Sequence, residues 1–486
     1  MLMFNADIHD LTFVGVAGAL AVTLLELTAV LSAIHAIMAS RTSQGAVAWA
    51  ISLVTPPLMF IALPAYWVFG RSRFEGYVKA RREGNTSMHG VLKDLGRTAR
   101  ERGLVRVDVR GVDAVLERLA WMPFTHQNRV QLLIDGQATF DAILGAIDTA
   151  QQYILVQFFI VKDDQLGREL QQRLLAKRRE GVRISFMYDE VGSHKLSSIY
   201  IDTLRKAGVD IRPFHSNRRN RFQLNFRNHR KIVVVDGVIA FAGGLNVGDE
   251  YMGRSKSFGP WRDTHAQIEG PAVLAVQLSF LEDWYWATHE VPKLNWSPAA
   301  AAGGEQDVLI LPTGPADSLE TCGLFFIQMI SMAQDRLWIA SPYFVPDIHV
   351  IAALQLAALR GVDVRIMLPE KPDHLLVYLA SFSYLQEMEE VGVKIYRYEP
   401  GFLHQKAMLI DDRWAAIGTA NLDNRSFRLN FEITVLVEDT AFVAEAAQMF
   451  ENDFAHCRIV ESDDLEERSL WFKIGVRIAR LMSPIL

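Results

Sequence analysis

The chain has 486 residues, half of them hydrophobic, and carries 50 Lys and Arg against 56 Asp and Glu for a net charge of −6. Such a length predicts roughly two to four domain-sized units with ample apolar material for a core, and the mild acidic balance excludes a global basic field that would gather nucleic acid. Two cysteines, Cys322 and Cys457, exclude a disulfide framework or a cysteine-built metal cluster and read as small buried hydrophobes.

The chain opens on two apolar runs. Leu11 to Ala39 is long enough to cross a bilayer with some tilt, and its polar interruptions, Glu26 and His35, must face a partner helix or the interface. Ala46 to Gly70 is the second run, which Pro56, Pro57 and Pro64 would kink. A cleaved signal fits the first run poorly, because Asp7 and Asp10 precede it with no Lys or Arg. Residues 1–70 are therefore expected to form an N-terminal pair of transmembrane helices. Arg71, Arg73, Lys79, Arg81 and Arg82 follow the second run, against Arg41 alone between the runs. The positive-inside rule then places everything after residue 70 in the cytoplasm, with the N-terminus on the same side, and the basic cluster suits anionic headgroups.

Residues 71–128 read as a charged connector, helical over Val91–Arg106 and Val112–Trp121, with no chemistry assigned. From Asn128 strands and helices alternate. Val130–Ile134 reads as a strand, Asp135-Gly136 as a turn, Thr139–Gln151 as an amphipathic helix and Tyr153–Val161 as a strand. Gln165–Glu180 reads as a helix stopped by Gly181, and Val182–Tyr188 as a strand. The order returns in helix Leu324–Ala333, strand Leu337–Ala340, helix Val350–Arg360 stopped by Gly361, and strand Val362–Leu368. With a Pro/Ala/Gly-rich linker at Ser297–Gly304 between them, residues 129–290 and 305–460 read as two copies of one α/β unit.

The chemistry sits in a motif that both copies carry. His229-Arg230-Lys231 leads through an apolar run to Asp236 and then to Gly243-Gly244-Leu245-Asn246. His404-Gln405-Lys406 leads to Asp411 and then to Gly418-Thr419-Ala420-Asn421. Lys231 to Val235 is β-branched and apolar, so it reads as a buried strand whose alternation puts His229 and Lys231 on one face. A His beside a Lys suits a phosphate. The ammonium neutralises a non-bridging oxygen, and the imidazole attacks phosphorus or moves a proton. Asn246 and Asn421 add neutral donors, and the glycines let backbone approach a ligand closely. A single copy is weak evidence, since a strand-edge His near a Lys is common; the doublet is far more specific.

This doublet resembles the phospholipase D superfamily, whose active site is built from two HxKxxxxD motifs, and the whole chain is similar to the bacterial cardiolipin synthases. Ser341-Pro342-Tyr343-Phe344-Val345-Pro346, Arg360-Gly361-Val362-Asp363 and Asp373-His374 strengthen the second likeness. The resemblance implies an α/β fold of duplicated phospholipase D-like sandwich units with one cleft shared by both. It groups His229, Lys231, Asp236, His404, Lys406 and Asp411 as the catalytic motif set, the two aspartates being structural members, and gives Asn246 and Asn421 to phosphate binding. It also implies acids that orient the imidazoles: Asp263 for His229, and Glu432 for His404. The residues alone leave open that Asp263 simply pairs with Arg262, and they do not say which His is the nucleophile; the likeness favours His229.

The implied reaction is phosphatidyl transfer between two phosphatidylglycerols, giving cardiolipin and glycerol through a phosphatidyl-histidine, at a bacterial cell (inner) membrane. Membrane phospholipids and the bilayer are the expected partners, with no nucleic acid, and no metal or cofactor is expected where two lysines and two imidazoles supply positive charge. A phospholipase D-type hydrolase is the alternative, because the motifs do not separate water from a lipid acceptor. A non-catalytic lipid-binding protein fits poorly with two complete motifs. Arg218, Arg219, Arg221, Arg227 and Arg230 crowd the approach to His229 and read as a funnel for anionic phosphate headgroups, the alternative being a solvated basic loop of no special role. The tail, residues 461–486, carries basic residues at helical spacing over Leu470–Leu486 and reads either as an interfacial membrane helix or as a helix packed on the domain.

Overall fold

The computed structural model describes residues 6–39, 43–69, 77–78, 80, 83, 93–107, 109–214, 226–460, 464–465 and 468–481. These residues form two compact units, an N-terminal one and a larger one that holds both motifs.

In the N-terminal unit the first run is one helix, α1 (Ala6–Ala39). Among the described residues it is the one helix long and apolar enough to cross a membrane, over Leu20–Ile37. It turns Leu20, Leu24, Leu27, Leu31 and Ile34 outward, and it packs Ala33 and Ala36 inward against Leu53, Leu63 and Tyr66. His35 faces a partner helix as expected, its Nδ1 lying 2.5 Å from Tyr66 Oη. The second run departs from the expected single span. It forms two short helices, α2 (Ser43–Val54) and α3 (Met59–Phe69), broken at Pro56 and Pro57. Prolines lack an N–H and exclude the helical conformation from the residue before them, so the pair ends one helix and a new one begins. Twelve and eleven residues rise only about 18 and 16 Å, less than a hydrocarbon core. Arg41, Arg71, Arg73, Lys79, Arg81 and Arg82, which carried the orientation, lie outside the described residues.

The larger unit is built on β1 (Thr125–Ile134), β2 (Tyr153–Phe158), β3 (Arg183–Tyr188), β4 (Asp210–Pro213), β5 (Arg227–Asn228), β6 (Ile232–Val235), β7 (Ile239–Gly243), β8 (Trp261–Arg262) and β9 (Thr264–Glu269). A second set follows: β10 (Gln306–Thr313), β11 (Arg336–Ala340), β12 (Phe344–Val345), β13 (Asp363–Pro369), β14 (Lys394–Tyr398), β15 (Phe402–Leu403), β16 (Ala407–Ile410), β17 (Trp414–Gly418), β18 (Leu422–Asp423), β19 (Asn430–Glu438) and β20 (Cys457–Ile459). In space the first set runs β1-β9-β7-β6-β2-β3-β4, and the second runs β10-β19-β17-β16-β11-β13-β14. The two orders match strand for strand, which is the duplication expected from sequence. β1 and β10 pair antiparallel, so the copies share one continuous sheet. The connector joins the second copy: helix Gly111–Ala120 buries Leu116, Leu119 and Ala120 in that copy's core.

Local chemistry repeats with the topology. Helices Gln165–Arg179 and Ile348–Leu359 are each N-capped by an aspartate, Asp164 and Asp347, and each is followed by a glycine at positive φ, Gly181 and Gly361. β6 and β16 are buried at every position, as a strand covered on both faces must be. Beyond them the motif aspartates take positive φ, 54° at Asp236 and 51° at Asp411. Asp236 accepts the N–H groups of Gln151, Gln152 and Tyr153 at 2.7–2.8 Å, and Asp411 those of Gln334, Asp335 and Arg336 at 2.8–3.1 Å. Both therefore fix the start of the neighbouring strand at the end of β6 or β16 away from His229 or His404, in keeping with their place as structural members of the catalytic motif set. Asp135-Gly136, expected as a turn, instead opens helix Asp135–Thr149. A Cβ at Gly136 would meet Tyr251 O at 2.1 Å, so that glycine marks a close packing point rather than a turn.

The tail forms helix Leu470–Leu481, and the packed reading holds. Phe472 stands edge-on to Phe382 at 5.1 Å, and Arg480 donates to Ser383 O at 3.3 Å. Leu470, Trp471, Ile474 and Ile478 remain on the exposed face.

Candidate active site

Two short parallel ladders bring the motifs together. β5 pairs with β19, Arg227 opposite Asn430 and Asn228 opposite Phe431, and His229 N–H then donates to Phe431 O at 2.9 Å. β8 pairs with β15, Trp261 opposite Phe402 and Arg262 opposite Leu403, and His404 N–H donates to Arg262 O at 2.8 Å. Each histidine thus enters beside the acid-bearing strand of the other copy.

The acids follow that crossing. His229 Nδ1 lies 2.9 and 3.1 Å from the Glu432 carboxylate, and His404 Nδ1 lies 2.7 Å from Asp263 Oδ2. The expected assignment, Asp263 to His229 and Glu432 to His404, is therefore reversed. The reason is topological: the strand bearing each acid continues from a ladder made with the opposite copy. Arg262 does not hold the Asp263 carboxylate either. Its guanidinium makes a bidentate bond to Asp453 at 2.7 Å and donates to the Asp263 carbonyl at 2.8 Å.

A carboxylate only accepts, so it fixes the proton on Nδ1 of each imidazole and leaves Nε2 with its lone pair. The small-residue turns make room for the acids. A Cβ at Gly244 would sit 2.0 Å from Asp263 Oδ1, whereas Thr419 at the matching place donates its hydroxyl to Glu432 at 2.5 Å. Asn430 adds a bond to Glu432 at 3.1 Å.

Lys231 Nζ donates to His229 O at 2.6 Å, and Lys406 Nζ donates to His404 O. Both ammonium groups are buried beside the imidazoles. Burial pushes Lys231 down to about 7, with Glu432 opposing, and Lys406 down to about 8, with Asp263 opposing. Burial also lowers His229 against the pull of Glu432, and it lowers His404 with Lys406 and Lys231 adding to the effect. Lysines of each copy thus bear on the histidine of the other, and the four groups form one coupled centre. Glu432 is held below the usual carboxylate range: burial would raise it, but His229 and Lys231 outweigh that.

A cavity of about 580 Å³ opens at His229, with Phe159, Arg227, Tyr343, His374 and Asn421 on its walls. Tyr343 and His374, picked out as parts of recognisable segments, stand here; Tyr343 Oη donates to Asp373 at 2.6 Å. Of the two asparagines, Asn421 faces the cavity. Asn246 accepts the Ile160 N–H at 3.0 Å and directs Nδ2 to Tyr251 Oη at 3.3 Å. The funnel expectation holds in part. Arg227 lines the cavity, but Arg230 is buried and bonds Asp283, Glu432 O and Thr313 O at 3.0–3.2 Å. Arg218, Arg219 and Arg221 lie outside the described residues.

Sequence reading missed the residues behind the motifs. Asp283 holds Arg230 and Asn228, and it accepts Tyr77 Oη from the connector at 2.5 Å. Asp453 holds Gln405 and Arg262 at 2.7 Å. A signal for both was present: an aspartate before an aromatic, Asp283-Trp284 and Asp453-Phe454, follows each acid at nearly the same distance.

The family model described as "Cardiolipin synthase, PLD-like domain" matches residues 143–257 and 326–454, one segment in each copy. The chain is 49% identical over 470 residues to cardiolipin synthase A of Pseudomonas fluorescens, covering 96% of this chain and 98% of that one. The chain belongs to the cardiolipin synthase family. Cardiolipin synthase A of Pseudomonas aeruginosa is 50% identical over 460 residues, covering 94% and 93% of the two chains. Among solved structures, phosphatidylserine synthase of Haemophilus influenzae superposes with a TM-score of 0.60 at 15% identity, covering 77% of this chain and all of that one. That likeness establishes the shared phospholipase D-like fold.

Proposed function

We propose that this protein is a membrane-associated phosphatidyltransferase that joins two phosphatidylglycerols into cardiolipin and glycerol. The observation that carries the mechanism is the crossed pair of His–acid dyads beside two buried lysines. His229 is the nucleophile in this reading, as the family likeness favours, and the cavity that opens at His229 supports it. Its Nε2 attacks the phosphorus of one phosphatidylglycerol, the P–O bond to the headgroup glycerol breaks, and His404 protonates the departing oxygen. The entering phosphate anion raises the His404 basicity that burial and the lysines depress. In the second step His404 takes the proton from a hydroxyl of the second phosphatidylglycerol. That oxygen bonds to phosphorus, and the P–N bond to His229 breaks. Lys231, Lys406 and Asn421 stabilise charge on the equatorial oxygens. Helix α1 supports attachment to a bilayer; crossing by α2 and α3 together through the break at Pro56 and Pro57, and a cytoplasmic face for the larger unit, belong to the same reading.

Purified protein in detergent micelles with phosphatidylglycerol and chelator is expected to release glycerol and form cardiolipin, read by mass spectrometry. Phosphatidic acid in place of cardiolipin would make water the acceptor and refute the transfer reading.

The lysines predict the pH dependence. Each is charged below its lowered pKa and neutral above it, so rising pH removes the charge that binds phosphate. The kcat/KM for phosphatidylglycerol is expected to fall on an alkaline limb that begins between pH about 7 and 8, and Lys231→Arg should move that limb upward. A profile flat to pH ~10 would contradict this assignment.

A further inference from the structure

The two motifs are related by symmetry, but the reaction is not. One lipid supplies the phosphorus that is attacked; the other supplies a hydroxyl and carries a phosphate that never reacts. The cavity at His229 breaks the symmetry in the same sense. Two guanidinium groups line it, Arg227 and Arg425. Arg227 stands two residues before His229, where the other copy has the buried apolar Phe402 before His404. Arg425 stands four residues after Asn421, where the other copy has Glu250 after Asn246, and Glu250 pairs with Lys162. The guanidinium pair therefore exists on one side only, while the His–Lys–acid sets exist on both.

Arg227 is held in place by the ladder to Asn430, and Arg425 by helix Asn424–Arg428, which Asp423 caps. Burial pushes both groups below their ordinary value. Arg425 adds to the push on Arg227, while Asp189 opposes it at Arg227, and Asp423 and Glu432 oppose it at Arg425. Asp423 also lines the cavity beside the two guanidiniums. Two guanidiniums on one cavity suit an anion with several acceptor oxygens, such as a phosphodiester.

We propose that Arg227 and Arg425 form a second phosphate subsite that holds the unreacted phosphodiester of the acceptor phosphatidylglycerol and so brings its headgroup hydroxyl to the phosphorus on His229. This rests on the transfer reaction proposed above. In the step it serves, the acceptor oxygen bonds to phosphorus, the P–N bond to His229 breaks with its electron pair returning to Nε2, and the hydroxyl proton passes to His404. An acceptor without a phosphate gains nothing from the subsite.

The test uses the full chain in phosphatidylglycerol micelles with ethanol as a competing acceptor. The ratio of cardiolipin to phosphatidylethanol is measured for the wild type and for Arg227→Ala, Arg425→Ala, Arg227→Lys and Arg425→Lys. The ratio is expected to fall at least ~10-fold in each alanine variant and by ~3-fold or more in the lysine variants, which keep charge but lose the planar fork. A ratio within ~2-fold of wild type in all four, whatever the total rate, overturns the subsite. Loss of both products in all four also overturns it, since the arginines would then serve the attacked phosphorus. A wild type that makes phosphatidylethanol and no cardiolipin refutes the transfer reading itself, which separates the two failures.

Discussion

Alanine at His229 is expected to lower cardiolipin formation by about 10⁴-fold or more and to leave no covalent lipid on the protein. His404→Ala should be nearly as slow in turnover yet still trap lipid. The imidazole of His229 keeps its lone pair at Nε2 through Glu432, so attack on phosphorus remains open, slowed by the loss of the proton that His404 gives the departing glycerol, whereas the second step lacks a base to deprotonate the acceptor. Brief exposure of each variant to phosphatidylglycerol, followed by denaturation and peptide mass spectrometry, reads this directly. One phosphatidyl group on the peptide containing His229 is expected in His404→Ala and none in His229→Ala. A label on the His404 peptide instead would exchange the two roles.

The crossed dyads give the second large effect. Glu432→Gln should cost about 10²–10⁴-fold in kcat, because an amide in the carboxylate's place fixes the wrong tautomer and does not stabilise the imidazolium. The informative result is which defect each acid copies. Glu432→Gln is expected to abolish the trapped adduct, like His229→Ala, and Asp263→Asn to retain it, like His404→Ala. The double variant His229→Ala/Glu432→Gln should be no slower than His229→Ala alone, as expected for groups that act as a unit. The opposite pattern, Asp263 coupled to His229, would restore the pairing within each copy.

The residues of the site were legible in the sequence; their pairing was not. His229, Lys231, His404 and Lys406 announce themselves by repetition, and the matched strand orders were implied by Gly181 and Gly361 at equivalent points. The crossing depends on two ladders of two residues each, β5 with β19 and β8 with β15, and pairing between distant short strands leaves no periodic trace in a chain. Charge was an equally poor guide to direction. Arg227 and Arg230 look alike in sequence, yet the first lines the cavity and the second is buried on Asp283, because the aspartate that captures it lies on a helix far along the chain. Pro56 and Pro57 were visible too, and a kink was expected where two prolines in succession end a helix.

The crossed dyads also tie the preparation of His229 to the synthesis of the second copy. During synthesis the N-terminal copy leaves the ribosome with His229 and Lys231, but the carboxylate that orients His229 is not yet made: Glu432 follows two hundred residues later. Until then the chain carries His229 without the carboxylate that sets its tautomer. The His229–Glu432 dyad is complete only where β19 lies beside β5, so it needs both copies of the repeat.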